Sequence, residues 1–471
     1  LKPSAIADSL SVSPEAESMM GPQQTDQAAL FYEFSLERHV LASHLLRSID
    51  RFVDLSGIRS ELAPFYSSTG RPSIDPELLV RMLLVGYCYG IRSERRLCEE
   101  VHLNLAYRWF CRLGLDGDVP DHSTFSKNRH GRFRDCDLLR KLFETVVRRC
   151  MSEGLVDGTA FAVDASLIAA DANKQRSVTG ADQQDWEGLA RTRRSVREDL
   201  DTLDEAAWGT ASETVPKFVS RSDPAAQWTG AHKGHAFFAY ADNYLIDLKV
   251  AIIVDVEATR AIRQAEVGAA RTMIDRTEER LGLRPERLAA DSAYGSADML
   301  GWLVDERAIE PHIPVFDKSA RKDGTFARDD FAYDAETDIY RCPAGKVLSS
   351  TGTLVNDGAT LLYRASKYDC DICKLKPRCC PKMPSRKVPR SVYESARDVA
   401  RGIARTEAYA TSRRERKKIE MLFAHLKRIL RLDRLRLRGP YGAHDEFLLA
   451  ATAQNLRRLA KLVPSPAPRP A

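Results

Sequence analysis

Thr159-Ala-Phe-Ala-Val-Asp-Ala-Ser-Leu-Ile168 is an apolar, β-branch-containing run with one carboxylate, Asp164, in its middle. That composition predicts a core strand. A lone acid in such a strand is costly unless a cation binds it, which makes Asp164 a candidate ligand. Asp157 and Asp171 flank the run instead of occupying it and read as turn or surface residues. Working outward, His235 to Asn243 and Ile246 to Val256 are strand-like and separated only by Tyr244 and Leu245, predicting a hairpin or bent pair. A helix is predicted from about Ile262 to Leu281. Arg287-Leu-Ala-Ala-Asp-Ser-Ala-Tyr-Gly295 then reads as a short strand delivering Asp291 at its carboxyl end, where ligands collect in such sheets. A helix from Ser296 to about Glu306 and a fifth strand, Ile309 to Val315, complete the set.

A third acid stands in Arg416-x3-Glu420-x6-Lys427. At about 100° per residue the three side chains fall within roughly 40° of one another on a helix, so one face carries a carboxylate between two cations. Phe423 shares that face, whereas Glu415 and His425 lie about 140° from Glu420. By itself the spacing also fits a basic amphipathic helix with solvated charges. From Arg401 to Arg438 there are thirteen Lys and Arg against four Asp and Glu, a density suited to sequence-independent phosphate contacts.

These motifs resemble the DDE transposases of bacterial insertion sequences. Val163-Asp164-Ala165-Ser166, Ala290-Asp291-Ser292-Ala293-Tyr294 and the Arg416/Glu420/Lys427 spacing match the family's three acidic motifs. His44-Leu-Leu-Arg-Ser-Ile-Asp50, Gly70-Arg-Pro-Ser-Ile-Asp-Pro76 and Pro120-Asp-His-Ser-Thr-Phe-Ser126 follow its N-terminal order. The resemblance spans about residues 36 to 460. It implies an RNase H-like α/β catalytic domain, a mixed five-stranded sheet with helices, preceded by an all-α domain. It also implies an enzyme that binds element ends as double-stranded DNA and cleaves and joins phosphodiesters with Mg2+ or Mn2+ on Asp164, Asp291 and Glu420. Asp164 is then the bridging ligand, and Arg416, Lys427, Arg413 and Lys417 contact DNA phosphates. Many relatives carry Tyr where this chain has Arg413, three residues before Arg416, a departure that bears on handling of the DNA terminus. A derivative that binds DNA but has lost cutting, and an RNase H-like nuclease acting on other nucleic acids, are the alternative readings.

Asp291 and Glu420 are 129 residues apart, more than a strand, a helix and a turn need, which predicts an inserted subdomain. It holds Cys342, Cys370, Cys373, Cys379 and Cys380. The spacing Cys342-x27-Cys370-x2-Cys373-x5-Cys379 suits a structural zinc site, with Cys380 spare, and equally suits reduced thiols. The other five cysteines are scattered through the helical region and read as small buried hydrophobes. The expected organisation is a disordered tail (1–28), a helical DNA-binding or dimerisation domain (29–152) and a catalytic domain in two pieces (153–316 and 400–462). A charged excursion (174–227), the inserted subdomain (317–399) and a disordered tail (463–471) complete it. In the N-terminal domain, Asp75-Pro76 starts a helix and Glu94 to Val101 forms another. Asp121 or Ser123 caps a helix carrying Ser126, Lys127, Asn128, Arg129 and Arg132, which suits either groove recognition or a bundle used for subunit contacts.

The net charge of +5 and pI of about 8.6 are only mildly basic, so the cation distribution says more than the total. No apolar run reaches eighteen residues, which excludes a transmembrane helix. The sequence also lacks a secretory leader pattern. A cytoplasmic, nucleoid-associated homodimer on DNA is the expectation.

Overall fold

The computed structural model describes residues 34–66, 69, 73–182, 184–209, 215–230, 234–317, 321 and 323–464. The expected tail at 1–28, all but the first two residues of the expected tail at 463–471, and Gly70-Arg-Pro of the second N-terminal motif lie outside them. Val463 and Pro464 are held, their carbonyls accepting hydrogen bonds from Arg51 at 3.1 and 3.2 Å.

The N-terminal region is helical. Helix α1 (Pro76–Tyr89) begins as predicted, with the Asp75 carboxylate accepting from Glu77 N–H and proline in the first turn, and ends at Gly90 in the left-handed conformation (φ 69°). It is buried along nearly its whole length. Helix α2 (Glu94–Leu103) and helix α3 (Ser123–Arg129) follow, with Asp121 supplying the α3 cap by accepting from Ser123 N–H at 2.8 Å. Of the polar residues expected on an exposed α3 face, Asn128 and Arg129 are buried, and Arg129 pairs with Glu94 at 2.5 Å. Arg132 belongs to a separate short helix and packs over the Tyr66 ring. Helix α4 (Leu138–Ser152) leads into the sheet.

Strand β1 (Ala160–Ala169) is central. After it come helix α5 (Arg194–Asp201), strands β2 (Ala236–Asp247) and β3 (Ile252–Arg260), helix α6 (Arg263–Leu281), and strands β4 (Arg287–Ala289) and β5 (Glu310–His312). The spatial order is β3-β2-β1-β4-β5, with the first two neighbour pairs antiparallel and the last two parallel. A short strand, Gln227–Gly230, also pairs with β2. The expected break at Tyr244 and Leu245 is absent. Those residues lie inside β2, opposite Asp164 and Val163, and the chain reverses at Leu248–Ala251. The Asp247 carboxylate makes that turn by accepting from Lys249 N–H at 2.9 Å and from Asp157 and Gly158 N–H, a role invisible in a strand-like run.

Between β5 and the C-terminal helices a second, antiparallel sheet holds β6 (Ala332–Asp334), β7 (Ile339–Arg341), β8 (Val347–Val355), β9 (Thr360–Ala365) and β10 (Lys387–Ser391). It has its own small core of Phe331, Tyr340, Leu348, Tyr363, Ala365 and Val388.

Helix α7 (Glu407–Arg428) crosses β1 and β4, and helix α8 (Pro440–Leu462) follows. Helix α8 is buried on almost every side and packs against α1, α4, α5 and β3. One continuous core therefore runs from the N-terminal helices through α8 into the sheet. Asn455, fully buried on α8, accepts from Ile253 N–H at 3.0 Å and donates to Ile253 C=O at 2.7 Å. Asn455→Ala should leave both backbone groups unpaired and cost roughly 2–4 kcal/mol, read as a lower urea midpoint.

Asp223 is fully buried, accepting from the Tyr240 hydroxyl and from Gly439 N–H at 3.2 Å, and burial pushes its carboxyl up to about 7. A carboxyl whose folded pKa exceeds its unfolded value binds its proton more tightly when folded. It therefore favours folding at low pH, and this contribution is lost as pH rises from about 4 to about 7, at up to about 1.4 kcal/mol per pH unit. Asp223→Asn should flatten that part of the stability–pH curve, measured by chemical unfolding at several pH values.

Candidate active site

The alignment of β1 with β4 brings two of the predicted acids together. Ala160, Phe161 and Ala162 pair with Arg287, Leu288 and Ala289 in parallel register. Two residues further along each strand stand Asp164 and Asp291, on neighbouring strands about 4.8 Å apart and on the same face. Asp291 turns the chain at that point, its carboxylate accepting from Ala293 N–H at 2.7 Å and capping the tight turn Ser292–Tyr294. Asp164 accepts from its neighbour Ala165 N–H at 2.9 Å.

Helix α7 lies over this face. Arg416 reaches to 3.7 Å from the Asp164 carboxylate, Phe423 stacks on Tyr244 with ring centroids 5.4 Å apart, and Lys427 donates to Leu167 C=O at 3.2 Å. Glu415 points away as its angle predicted and pairs with Arg287 at 3.2 Å, tying α7 to β4. Glu420 lies between Arg416 and Lys427 along the helix. Its carboxylate is exposed and makes no ion pair or hydrogen bond among the described residues. Arg413 and Lys417 are also exposed, on the outer flank beside Glu420. Ser412, Ile419, Leu422 and Leu426 form the buried stripe that fixes the helix's rotation.

Electrostatics follow burial. The low-dielectric setting raises the Asp164 carboxyl above the usual range, Arg416 opposes this, and neighbouring Asp291 adds to it. Burial lowers the Lys427 ammonium, offset by Asp242. Two further residues face the acids, and no sequence signal marked either. Glu266, in the first turn of α6, has its carboxyl raised by burial and then by Asp291 and Asp164. An acid at a helix start is ordinary, so nothing distinguished it. Arg263, one turn earlier, clamps α6 to the Asp291 turn by donating to Ser292 and Ala293 C=O at 3.1 and 2.9 Å. Tyr294 is buried beside Asp164, Glu266 and Asp291, and its hydroxyl has no hydrogen-bond partner.

Among the described residues no three His, Cys, Asp or Glu side chains are disposed to hold one metal ion. Asp164 and Asp291 form a pair, with Glu420 outside it. The cysteines of the second sheet do gather. Cys342, Cys370, Cys373, Cys379 and Cys380 line one small pocket, with Lys346 N–H donating to Cys342 Sγ at 3.3 Å. Cys380, expected to be spare, is the buried one, its thiol against those of Cys370 and Cys379. Burial pushes Cys379 up to about 12. All ten cysteines are free thiols.

A carboxylate in the middle of β1 beside one just past the end of β4, under a basic helix, suits a nucleic-acid-processing class of site. Two family models match the chain: Transposase domain (DUF772) over residues 34–131 and Transposase DDE domain over residues 341–460. The second takes in Arg416, Glu420 and Lys427 and the cysteine pocket, while Asp164 and Asp291 lie before it. Together the two matches support an insertion-sequence DDE transposase. No helix among the described residues is long and apolar enough to cross a membrane.

A buried hydroxyl without a partner carries an uncompensated desolvation cost, so Tyr294→Phe should melt at or above the temperature of the parent chain, by up to about 1–3 kcal/mol in stability. Tyr240→Phe, which removes the bond to Asp223, should cost about 1–2 kcal/mol in the same calorimetric comparison.

Proposed function

We propose that this transposase binds the terminal repeats of its element and hydrolyses, then rejoins, phosphodiesters there, using Asp164, Asp291 and Glu420 as ligands for Mg2+, or Mn2+ in its place. The observation that carries the reading is the parallel register that aligns Asp164 with Asp291 beneath a helix whose Arg416 supplies the countercharge. The donor set fits a hard divalent cation: carboxylate oxygens, no sulfur or imidazole, and a buried tyrosine hydroxyl left unpaired among them. When bound, a pair of such ions supplies a deprotonated water or 3′-hydroxyl and neutralises the leaving oxygen.

The chain's own residues do the rest. Arg416 faces Asp164 and opposes the upward shift that burial imposes on its carboxyl, and Arg416 is freed to hold a phosphate when another cation takes that place. Glu420, unencumbered on the same helix flank, turns toward the pair by a rotamer change. Glu266 raises the local negative charge and so favours cation binding. Lys427 holds its position through Leu167 C=O, while exposed Arg413 and Lys417 meet phosphates farther along the duplex. The domain boundaries expected above, a homodimer bridging two element ends, and work on chromosomal DNA in the cytoplasm belong to the same proposal.

Cleavage of an end-labelled duplex carrying the terminal repeat should require Mg2+ and fall at least about a hundredfold in Asp164→Asn, with binding retained. Equal cutting by that variant overturns the metal site. Comparable cutting by Glu420→Gln removes only the third ligand.

For the second sheet we propose a structural zinc ion on Cys342, Cys370, Cys373 and Cys379, whose formation displaces the contacts of Cys380 with Cys370 and Cys379. Purified protein should then contain about one zinc per chain, lost in Cys370→Ser and Cys373→Ser. Zinc-free wild-type protein ends that idea.

A further inference from the structure

The charged excursion after β1 and the segment after α7 enclose a groove of about 990 Å³. Arg176, Arg193, Arg194 and Arg221 line it from the excursion, and Arg434 and Arg438 from the segment. Asp171 is the one carboxylate among the lining residues, and it pairs with Arg434 at 3.0 Å and Arg438 at 2.7 Å. Arg194 pairs with Glu198 at 3.1 Å. Among the described residues the other three have no carboxylate partner. Arg193 and Arg221 donate only to Arg221 C=O and Gln184 Oε1, and all three are exposed. Six guanidinium groups are thus held around one groove with half of them unneutralised, an arrangement that repels itself until an anion enters.

The scaffold beneath these cations is firm. Ala169 exchanges backbone hydrogen bonds with Asp433 and Leu435 at 3.3 and 2.8 Å, Ser195 Oγ donates to Ser222 C=O at 2.6 Å, and Asp223 holds Gly439. Cations from four stretches of chain are therefore presented at fixed spacing, as bidentate phosphate recognition requires. The direction matters as well. Asp171 lies seven residues beyond Asp164, two past the end of β1, a span of at most about 23 Å at roughly 3.3 Å per residue, and Lys427 sits between them at Leu167. Duplex DNA advances about 3.4 Å per base pair, so the groove lies about seven base pairs from the paired acids.

We infer that this groove grips backbone phosphates of the element-end duplex about seven base pairs from the phosphodiester held at Asp164 and Asp291, which gives the excursion its role. The inference rests on the functional reading above for the position of the reacting bond, but the grip itself is tested without catalysis.

Binding of a terminal-repeat duplex is measured against salt in the absence of divalent ions, for the full chain and for Arg176→Ala/Arg193→Ala/Arg221→Ala. Loss of two or three phosphate contacts should reduce the slope of log K against log salt by about 2–3. Hydroxyl-radical protection about seven base pairs from the cleavage position should disappear while protection at that position persists. A photo-crosslinking residue in place of Gln175, exposed in the groove, keeps the test open if the triple variant misfolds. It should crosslink to DNA at the same distance. An unchanged slope and footprint, or crosslinks confined to other positions or absent, overturns the inference. If the slope falls while Asp164→Asn still cuts, the groove stands and the metal-site reading falls; the reverse result separates them the other way.

Discussion

Helix α8 is buried around almost its whole circumference, and a helix of that kind is stable only in the middle of something. Here it is packed between the N-terminal helices on one side and the edge strand β3 on the other, with Asn455 clipped to both backbone groups of Ile253. Glu446, on the same helix and almost fully buried, accepts from Arg436 and Leu437 N–H at 2.6 Å each and pairs with Arg92 of the N-terminal region. That one side chain joins the N-terminal helices, α8 and the segment after α7. The segment is pinned in turn to the end of β1.

Two ends of one mechanical unit are therefore set by α8. At one end α7 is held across β1 so that Arg416 meets Asp164 and Lys427 meets Leu167. At the other, Arg434 and Arg438 are brought against the excursion. Acids gather where β1 and β4 run side by side, and cations gather along α7 and beyond it. Each group of like charges is costly alone, and each suits the opposite charge of a metal–DNA complex. The Tyr294 hydroxyl, left unpaired inside a packed core, falls at the same place, as expected where function outweighs satisfaction.

Much of this was legible in the chain. A single aspartate in an apolar run announced β1, and a short strand ending in Asp291 announced β4, because strand burial writes itself as composition. Helical spacing put Arg416 and Lys427 on one flank and turned Glu415 away, because α-helix geometry is local. The surplus of residues before Glu420 foretold the second sheet. Less local features went unseen. The reversal after β2 is built by Asp247 reaching back to Asp157 and Gly158, so Tyr244 and Leu245 looked like a break when they are the middle of a strand. Helix α3 read either as a groove-reading helix or as part of a bundle, and the inward turn of Arg129 toward Glu94 of α2 was not visible in it.

What the sequence alone determined is the identity of the acids and cations and the local element each sits on, since periodicity and composition act over a few residues. The tertiary structure alone decided which of them meet. Strand register set Asp164 beside Asp291, the docking of α6 through Arg263 added Glu266, and the Cys pocket took in Cys380. Arginines about 260 residues apart came to line one groove. Those outcomes depend on packing and pairing between distant segments, whose free energies no local pattern records.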